Sequence, residues 1–425
     1  MFHKCKICST PFLKKEIIFF CYLIINLFSH SQKAPFSTKH SEIIDAEGNN
    51  FLIRGVNWWG ANGSLIPYST DHSKGTNTHS MPFGLHLQNL DTIVLAIKNA
   101  GFNTVRLPFS NEMLHDSTLA SKDWVGPNDE LIGLTPLEIM DKVILSLTEK
   151  GIFVLLNNHS TTAQWCCNYD MNGLWYGKNE RYSQTTKDWI TDWEMLAARY
   201  QSNALVIGAD LRNEVRPLRK KNLPLPRNPN WGHRNKKDWH KAATLAGNAI
   251  HVINPNWLIV VEGINARVHF LSQLSFPHLK PVVKKPIRLN VPNKLVYEVH
   301  NYSFSWTKAN LLFPMRQKKY SQLSTAERRA AYDKNWGFIT DSNFVNCAPV
   351  LIGEFGCGKS GTDAETWLKD LTDYITEHQL GFCWWTLEEE LNSESSYGIM
   401  NDALNQIDVF DDWRGVYLNI LLNKK

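Results

Sequence analysis

The chain has 425 residues, 43% of them hydrophobic and 20% charged, which is enough for one large core or two and ordinary for a globular protein. Its formal charge of +4 is concentrated at the N-terminus, where Lys4, Lys6, Lys14 and Lys15 less Glu16 supply three of the four charges. The near-neutral remainder gives no electrostatic footprint for nucleic acid.

In chain order, the first segment reads as a secretory signal over residues 1–31. Lysines up to Lys15 form a basic region, Ile17 to Phe28 is an apolar stretch, and Ser29 and Ser31 supply small residues near a cleavage point. The stretch is short for a membrane span, which takes about 20 apolar residues; an uncleaved anchor is the alternative. Residues 32–425 are then expected to be exported, free of stable membrane insertion and monomeric. Of the eight cysteines, Cys166, Cys167, Cys347, Cys357 and Cys383 follow the signal. The odd number implies at least one free thiol or an intermolecular bond in an oxidising compartment, and Cys383, inside an apolar run, is expected to stay reduced.

Eight short apolar runs follow: Phe51–Asn57, Thr104–Pro108, Ile152–Asn157, Leu205–Leu211, Leu258–Glu262, Leu295–His300, Val350–Glu354 and Phe382–Thr386. They read as buried parallel strands. Helical patterns lie between most of them. Thr135-Pro136-Leu137-Glu138 is a capping box with proline at the first helical position, and its helix runs to Lys150 with Gly151 as the stop. Trp189, Trp193, Leu196 and Tyr200 mark one face of the next helix, and another runs from near Lys237 to Ile253. Eight strands alternating with helices predict an α/β fold, a single (β/α)8 TIM barrel. A dinucleotide-binding sheet is disfavoured, since no GxGxxG follows an early strand.

In such a barrel, function sits at the carboxyl ends of the strands. Those positions are Arg106, His159, Asn213, Glu214, His300, Tyr302, Glu354 and Trp385. A carboxylate closing a buried run is costly for packing alone, and Glu214 and Glu354 both do so. Two such carboxylates facing one centre are what glycoside hydrolysis requires; a structural ion pair is the plainer alternative for each. His159 and His300 could equally be satisfied core histidines. Trp58, Trp59, Trp165 and Trp175 fall in loops after strands, where an aromatic face can stack on a sugar or simply pack. No ligand spacing for zinc is present, so neither metal nor cofactor is expected, and the absence of GxSxG weighs against an esterase.

VRLP around Arg106, LLNNH ending at His159, RNE ending at Glu214, HNY at His300–Tyr302, IGEFG around Glu354 and WWTL around Trp385 together resemble the family-five glycoside hydrolases, the cellulase-like retaining enzymes. NNHSTTAQWCC, LRNEVR and HNYSF are similar to a plant-type subgroup of that family. The resemblance spans about Ile44 to Gly415. It implies Glu354 as nucleophile and Glu214 as acid/base. Arg106 and Tyr302 would then hold Glu354 ionised, Asn213 bind the sugar 2-hydroxyl, His159 and His300 fix hydroxyls and carboxylates, and Trp385 form a stacking floor. The proline common in the wider family after the acid/base is Val215 here. The implied activity is hydrolysis of a β-linked polysaccharide, a β-glucan first; a mannan, a glycosylceramide or an inactive sugar-binding barrel are the alternatives. Sequons occur at Asn62, Asn158 and Asn301; the last two adjoin candidate site residues and are expected to be unglycosylated.

Overall fold

The computed structural model describes residues 32–423 apart from 64–78, 165–171, 179–181, 219–227, 266, 270–271, 275–277, 304–308, 311–322, 361–362 and 389–395. The expected signal segment and Trp165, Cys166 and Cys167 lie outside the described residues. Contacts group the chain into Met1–Lys33 and Ala34–Lys425, and the barrel belongs to the second unit.

Eight parallel strands close on themselves in chain order. They are β1 Arg54–Asn57, β2 Thr104–Ser110, β3 Phe153–Ser160, β4 Val206–Asp210, β5 Leu258–Glu262, β6 Leu295–His300, β7 Val350–Phe355 and β8 Gly381–Trp384. The ring is sealed where β8 pairs with β1, Phe382 beside Arg54 and Trp384 beside Val56. The (β/α)8 expectation therefore holds. Phe51 to Ile53 are not strand, as the apolar run had suggested. Phe51 instead stacks on Phe36 at 4.1 Å, and both pack with Ile43, Ile53 and Phe153. The hairpin Ser37–Lys39/Glu42–Ile44 thus brings apolar side chains that plug the amino end of the barrel.

Outside the strands run α1 Leu90–Asn99, α2 Pro136–Glu149, α3 Thr186–Arg199, α4 Trp239–Ile253, α5 Thr325–Asn335, α6 Ala364–Glu377 and α7 Trp413–Leu421. α2 starts where its sequence dictates. The Thr135 hydroxyl accepts the Glu138 amide N–H while the Glu138 carboxylate accepts the Thr135 N–H at 2.8 Å, and Gly151, with φ +73°, carries the chain out of the helix. Between β5 and β6 the described residues hold no α-helix, only the short 3-10 turn Lys280–Val283. No described helix is long and apolar enough to cross a membrane.

Strand alternation divides the interior into two levels. Low in the barrel, Ile53, Phe153, Leu155, Ile207, Leu258, Val260, Val296, Leu351 and Cys383 form one apolar cluster. Above it the inward positions turn polar: Asn57, Arg106, Asn157, Asp210, Glu262, Glu298, His300 and Glu354, all buried. Register shifts make the change of level possible. The β3–β4 ladder slips between Val154 and Leu155, β6–β7 between Val299 and His300, and β7–β8 between Ile352 and Phe355; such bulges re-aim side chains at barrel rims. Cys347, Cys357 and Cys383 are free thiols, and burial pushes Cys357 up to about 12.

The α2 cap gives a direct test of this local reading. Thr135→Ala removes the acceptor for the Glu138 N–H and should cost about 1 kcal/mol, read as a lower denaturant midpoint with an unchanged m-value.

Candidate active site

Arg106 rises from the middle of β2 and is fully buried, so its charge must be met by protein. Nε donates to Asp210 Oδ2 at 2.7 Å and lies 3.3 Å from Glu298 Oε1. Nη1 donates to Glu354 Oε1 at 2.7 Å and Asn57 Oδ1 at 2.8 Å, and Nη2 donates to Asn213 Oδ1 at 2.9 Å. One planar cation therefore ties together β1, β2, β4, β6 and β7. Asn213 is oriented by this contact: its oxygen faces Arg106, so its amide nitrogen turns the other way.

Glu354 receives two further donors. Tyr302 Oη donates to Oε2 at 3.0 Å, and His300 Nδ1 is 3.3 Å from the same atom. Across from it, Glu214 Oε1 lies 3.0 Å from His300 Nδ1. Glu214 sits just past β4 with φ +41°, a left-handed backbone that a non-glycine residue enters at some cost. The turn is held by its N–H on Glu262 and by the Asn213 N–H on Asn158 O at 2.9 Å. It directs the Glu214 carboxyl toward His300 and Glu354, and Glu214 keeps 13% of its side-chain surface open where Glu354 keeps 5%.

His159 closes the floor. Asn157 donates its amide to Asp210 at 2.6 Å, which fixes its oxygen toward His159 Nδ1 at 2.7 Å. His159 Nδ1–H is then the donor and Nε2 the acceptor, buried and unmet by protein. The ring lies 5.4 Å from Trp385 and nearly parallel to it, at 14°. All eight residues singled out in the sequence thus gather in one place, Arg106 from within β2 and the others at or just past a strand's carboxyl end.

Protonation follows from the balance of charges. Burial, joined by the charge of Glu298, drives Asp210 well above the carboxylate range; burial does the same to Glu262, reinforced by Glu298 and Glu214. Glu298 stays below its ordinary value against its burial, because Arg106 and His300 face it. His300 is held well above its ordinary value despite burial, chiefly by Glu262 and Glu354, whereas burial and the Arg106 charge hold His159 far below, hence neutral. Burial raises Glu354 against the pull of His300 and Arg106. Glu214 is lowered against its burial by the His300 hydrogen bond. Glu214, His300 and Glu354 each offer one ligand atom within 4.8 Å of the others.

The structure also corrects and extends the sequence reading. Trp58, Trp59 and Trp175 are buried, with ring nitrogens donating to Phe83 O, Glu388 O and the Thr186 hydroxyl; they brace the loops and present no open platform. Trp384 is core and donates to Tyr397 O. Asn57, Asn157, Asp210, Glu262 and Glu298 were missed. Asp210 and Glu298 interrupt apolar runs and Asn57 and Glu262 end them, but the sequence does not mark which of these side chains face the barrel axis. The sequon residue Asn158 donates its amide to Asn111 at 2.9 Å, and Asn301 accepts from Trp367 at 2.9 Å; both are buried.

A family model described as cellulase (glycosyl hydrolase family 5) matches residues 45–390. An endoglucanase of Paenibacillus polymyxa is 32% identical over 392 residues, spanning 90% of this chain and 86% of its own. The major extracellular endoglucanase of Xanthomonas campestris pv. campestris is 30% identical, over 85% of this chain and 66% of its own length. The solved catalytic domain of that major endoglucanase superposes with a TM-score of 0.69 at 25% identity, covering 91% of this chain and 100% of the domain. An endocellulase of Pyrococcus horikoshii in complex with cellotetraose gives 0.68 at 27% identity, covering 91% and 98%.

Arg106→Ala should expose the cost of the buried charges. It leaves Glu298 and Glu354 without their cation, and loss of one partner of a buried pair costs about 3–5 kcal/mol. Without the cation the folded-state carboxyl values rise above the unfolded ones, so the folded state binds the extra protons. The deficit relative to wild type should therefore be full near neutral pH and shrink as pH falls through the raised values. Denaturant titrations at pH 4 and pH 7 would measure it; a deficit that grows on acidification would contradict the assigned charges.

Proposed function

Since the chain belongs to the cellulase family, glycosyl hydrolase family 5, and is a glycoside hydrolase of β-glucan-cleaving, cellulase-like type, we propose that it is a secreted, monomeric, retaining endo-acting enzyme. Residues 1–31 would be its export signal and residues 32–425 its catalytic domain. The observation that carries the mechanistic part is the spacing of the two glutamates. A carboxylate oxygen of Glu214 and one of Glu354 lie within 4.8 Å of each other. Oxygens this close favour the roughly 5–5.5 Å carboxyl spacing of retaining enzymes over the roughly 6.5–9.5 Å that leaves room for a water in inverting ones.

Glu354 is the nucleophile: an oxygen attacks the anomeric carbon as Glu214 protonates the departing glycosidic oxygen. Glu214 then takes a proton from water, which displaces Glu354 and restores it. Arg106 and Tyr302 hold Glu354 by 2.7 Å and 3.0 Å hydrogen bonds, limiting its motion during attack. The His159 Nε2 lone pair receives a sugar hydroxyl, the Asn213 amide reaches the 2-hydroxyl, and Trp385 stacks beneath the ring. In the empty site burial favours a proton on Glu354 and His300 draws charge onto Glu214, the reverse of these roles. Sugar binding corrects the order. It covers Glu214, the more open of the two, and loss of water favours its protonated form, while Glu354 keeps its donors. The extracellular Xanthomonas relative supports export, and the cellotetraose complex supports a β-glucan substrate.

Product and variant chemistry test the roles together. The first-formed sugar should keep the β configuration, seen by NMR before mutarotation. Glu214→Ala should lose about 10²–10⁴-fold on an unactivated glucan yet still form the intermediate from an aryl glycoside with a good leaving group, and azide should release it as the β-azide. Glu354→Ala should turn over neither substrate, and azide should give the α-azide. An α first product, or the two azides exchanged, would overturn the assignment.

A further inference from the structure

A third carboxylate, Glu298, lies beneath the proposed pair and takes no part in the steps above. It is fully buried on β6, two residues before His300 and so on the same inward face. Its Oε1 stands 3.3 Å from Arg106 Nε and 3.4 Å from His300 Nε2. The barrel makes room for it: a Cβ on Gly353 of β7 would come within 1.5 Å of Glu298 Oε1. Asp210 is its neighbour on the same cation: Asp210 Oδ2 at 2.7 Å and Glu298 Oε1 at 3.3 Å both face Arg106 Nε. Two carboxyl groups so placed hold one proton between them. Asp210 Oδ2 already accepts from Arg106 and Asn157, so Oδ1, buried and otherwise unmet, is the atom that can carry it.

His300 is thus faced from every side. Nδ1 meets Glu214 Oε1 at 3.0 Å, Glu354 Oε2 at 3.3 Å and Glu262 Oε1 at 3.7 Å. Nε2 meets Glu298 Oε1 at 3.4 Å and Arg106 Nη2 at 3.5 Å, and neutral His159 lies beyond. A lone pair on Nε2 would take the Arg106 hydrogen; a proton on Nε2 would go to Glu298. Glu298 is otherwise left with both carboxylate oxygens buried and unpaired, which decides for the proton.

We propose that Glu298 is a positioning residue for the acid/base: with Asp210 it forms a proton-sharing carboxyl pair that keeps His300 protonated on both nitrogens, bridging Glu298 and Glu214. The inference rests on the reading of Glu214 as acid/base. Its consequence is a set point. His300 as a cation stabilises ionised Glu214 and so fixes the upper pH at which Glu214 still holds the proton it must deliver.

Glu298→Gln keeps the shape and removes the charge. His300 should then become neutral, with its proton on Nδ1 and Nε2 accepting from Arg106. Glu214 loses its neighbouring cation, so its proton affinity should rise about tenfold, one pH unit. Glu298 itself reaches Glu214 only across the imidazole, so its direct effect on Glu214 is the smaller one. The basic limb of kcat/KM on a cellooligosaccharide should therefore move up by about one unit. A dinitrophenyl cellobioside, whose leaving group needs no acid, should show no such shift. A structural role alone would lower both substrates' rates and leave the limb in place, which would overturn the proposal. Nitrogen-15 spectra of histidine-labelled wild-type protein provide a check that needs no variant: at neutral pH both His300 nitrogens should be protonated, and an unprotonated Nε2 would overturn it as well. Full activity of Glu214→Ala would remove the reading beneath it; an unmoved limb with azide-rescuable Glu214→Ala would remove the Glu298 proposal alone.

Discussion

Everything at the mouth of this barrel depends on one buried guanidinium. Arg106 cannot shed its charge and has no exposed surface, so the fold must supply oxygen atoms around it. Asp210, Glu298, Glu354, Asn57 and Asn213 do so. They come from four strands, β1, β4, β6 and β7, and two of the contacts set the rotation of side chains the chemistry uses. Asn213 and Glu354 owe their orientation to Arg106 directly. His159 owes its tautomer to it at second hand, through Asp210 and Asn157.

Surrounding one arginine with so many carboxyl groups creates an excess of negative charge that the interior cannot carry. The structure resolves it with protons. Burial favours the neutral forms of Asp210 and Glu262, and the surrounding carboxyl groups favour the charged form of His300. The reaction pair therefore sits on a layer whose charge is nearly balanced before substrate arrives, and electrostatic preorganisation of this kind costs no rearrangement during the reaction.

The strands and the site were legible in the sequence to different depths. Leu258–Glu262 and Leu295–His300 could be bounded to the residue, because charged or turn residues interrupt the apolar run at both ends. Phe51–Ile53 could not, since an apolar residue that plugs the barrel end looks the same as one that pairs within it. Glu214 and Glu354 stood out because each closes its run. Glu298 did not, because a polar residue inside a run carries no mark of whether it faces a helix or the barrel axis, and bulges such as the one after Val154 shift that parity. Trp58, Trp59 and Trp175 misled for a related reason. Loops at the mouth of a barrel need packing of their own, and tryptophan provides it.

The buried amides of Asn158 and Asn301 have a consequence for how the protein is made. Both lie in Asn-X-Ser sequons, and both are engaged between the barrel wall and its surrounding helices, with Asn111 and Trp367. A glycan added to either before β3 and β6 find their neighbours would stand where the barrel must shut. In a cell that glycosylates exported chains during translocation, the yield of active protein is then set by a race between strand pairing and the transferase. Slower synthesis or cooler culture would alter that yield without touching the stability of the finished fold.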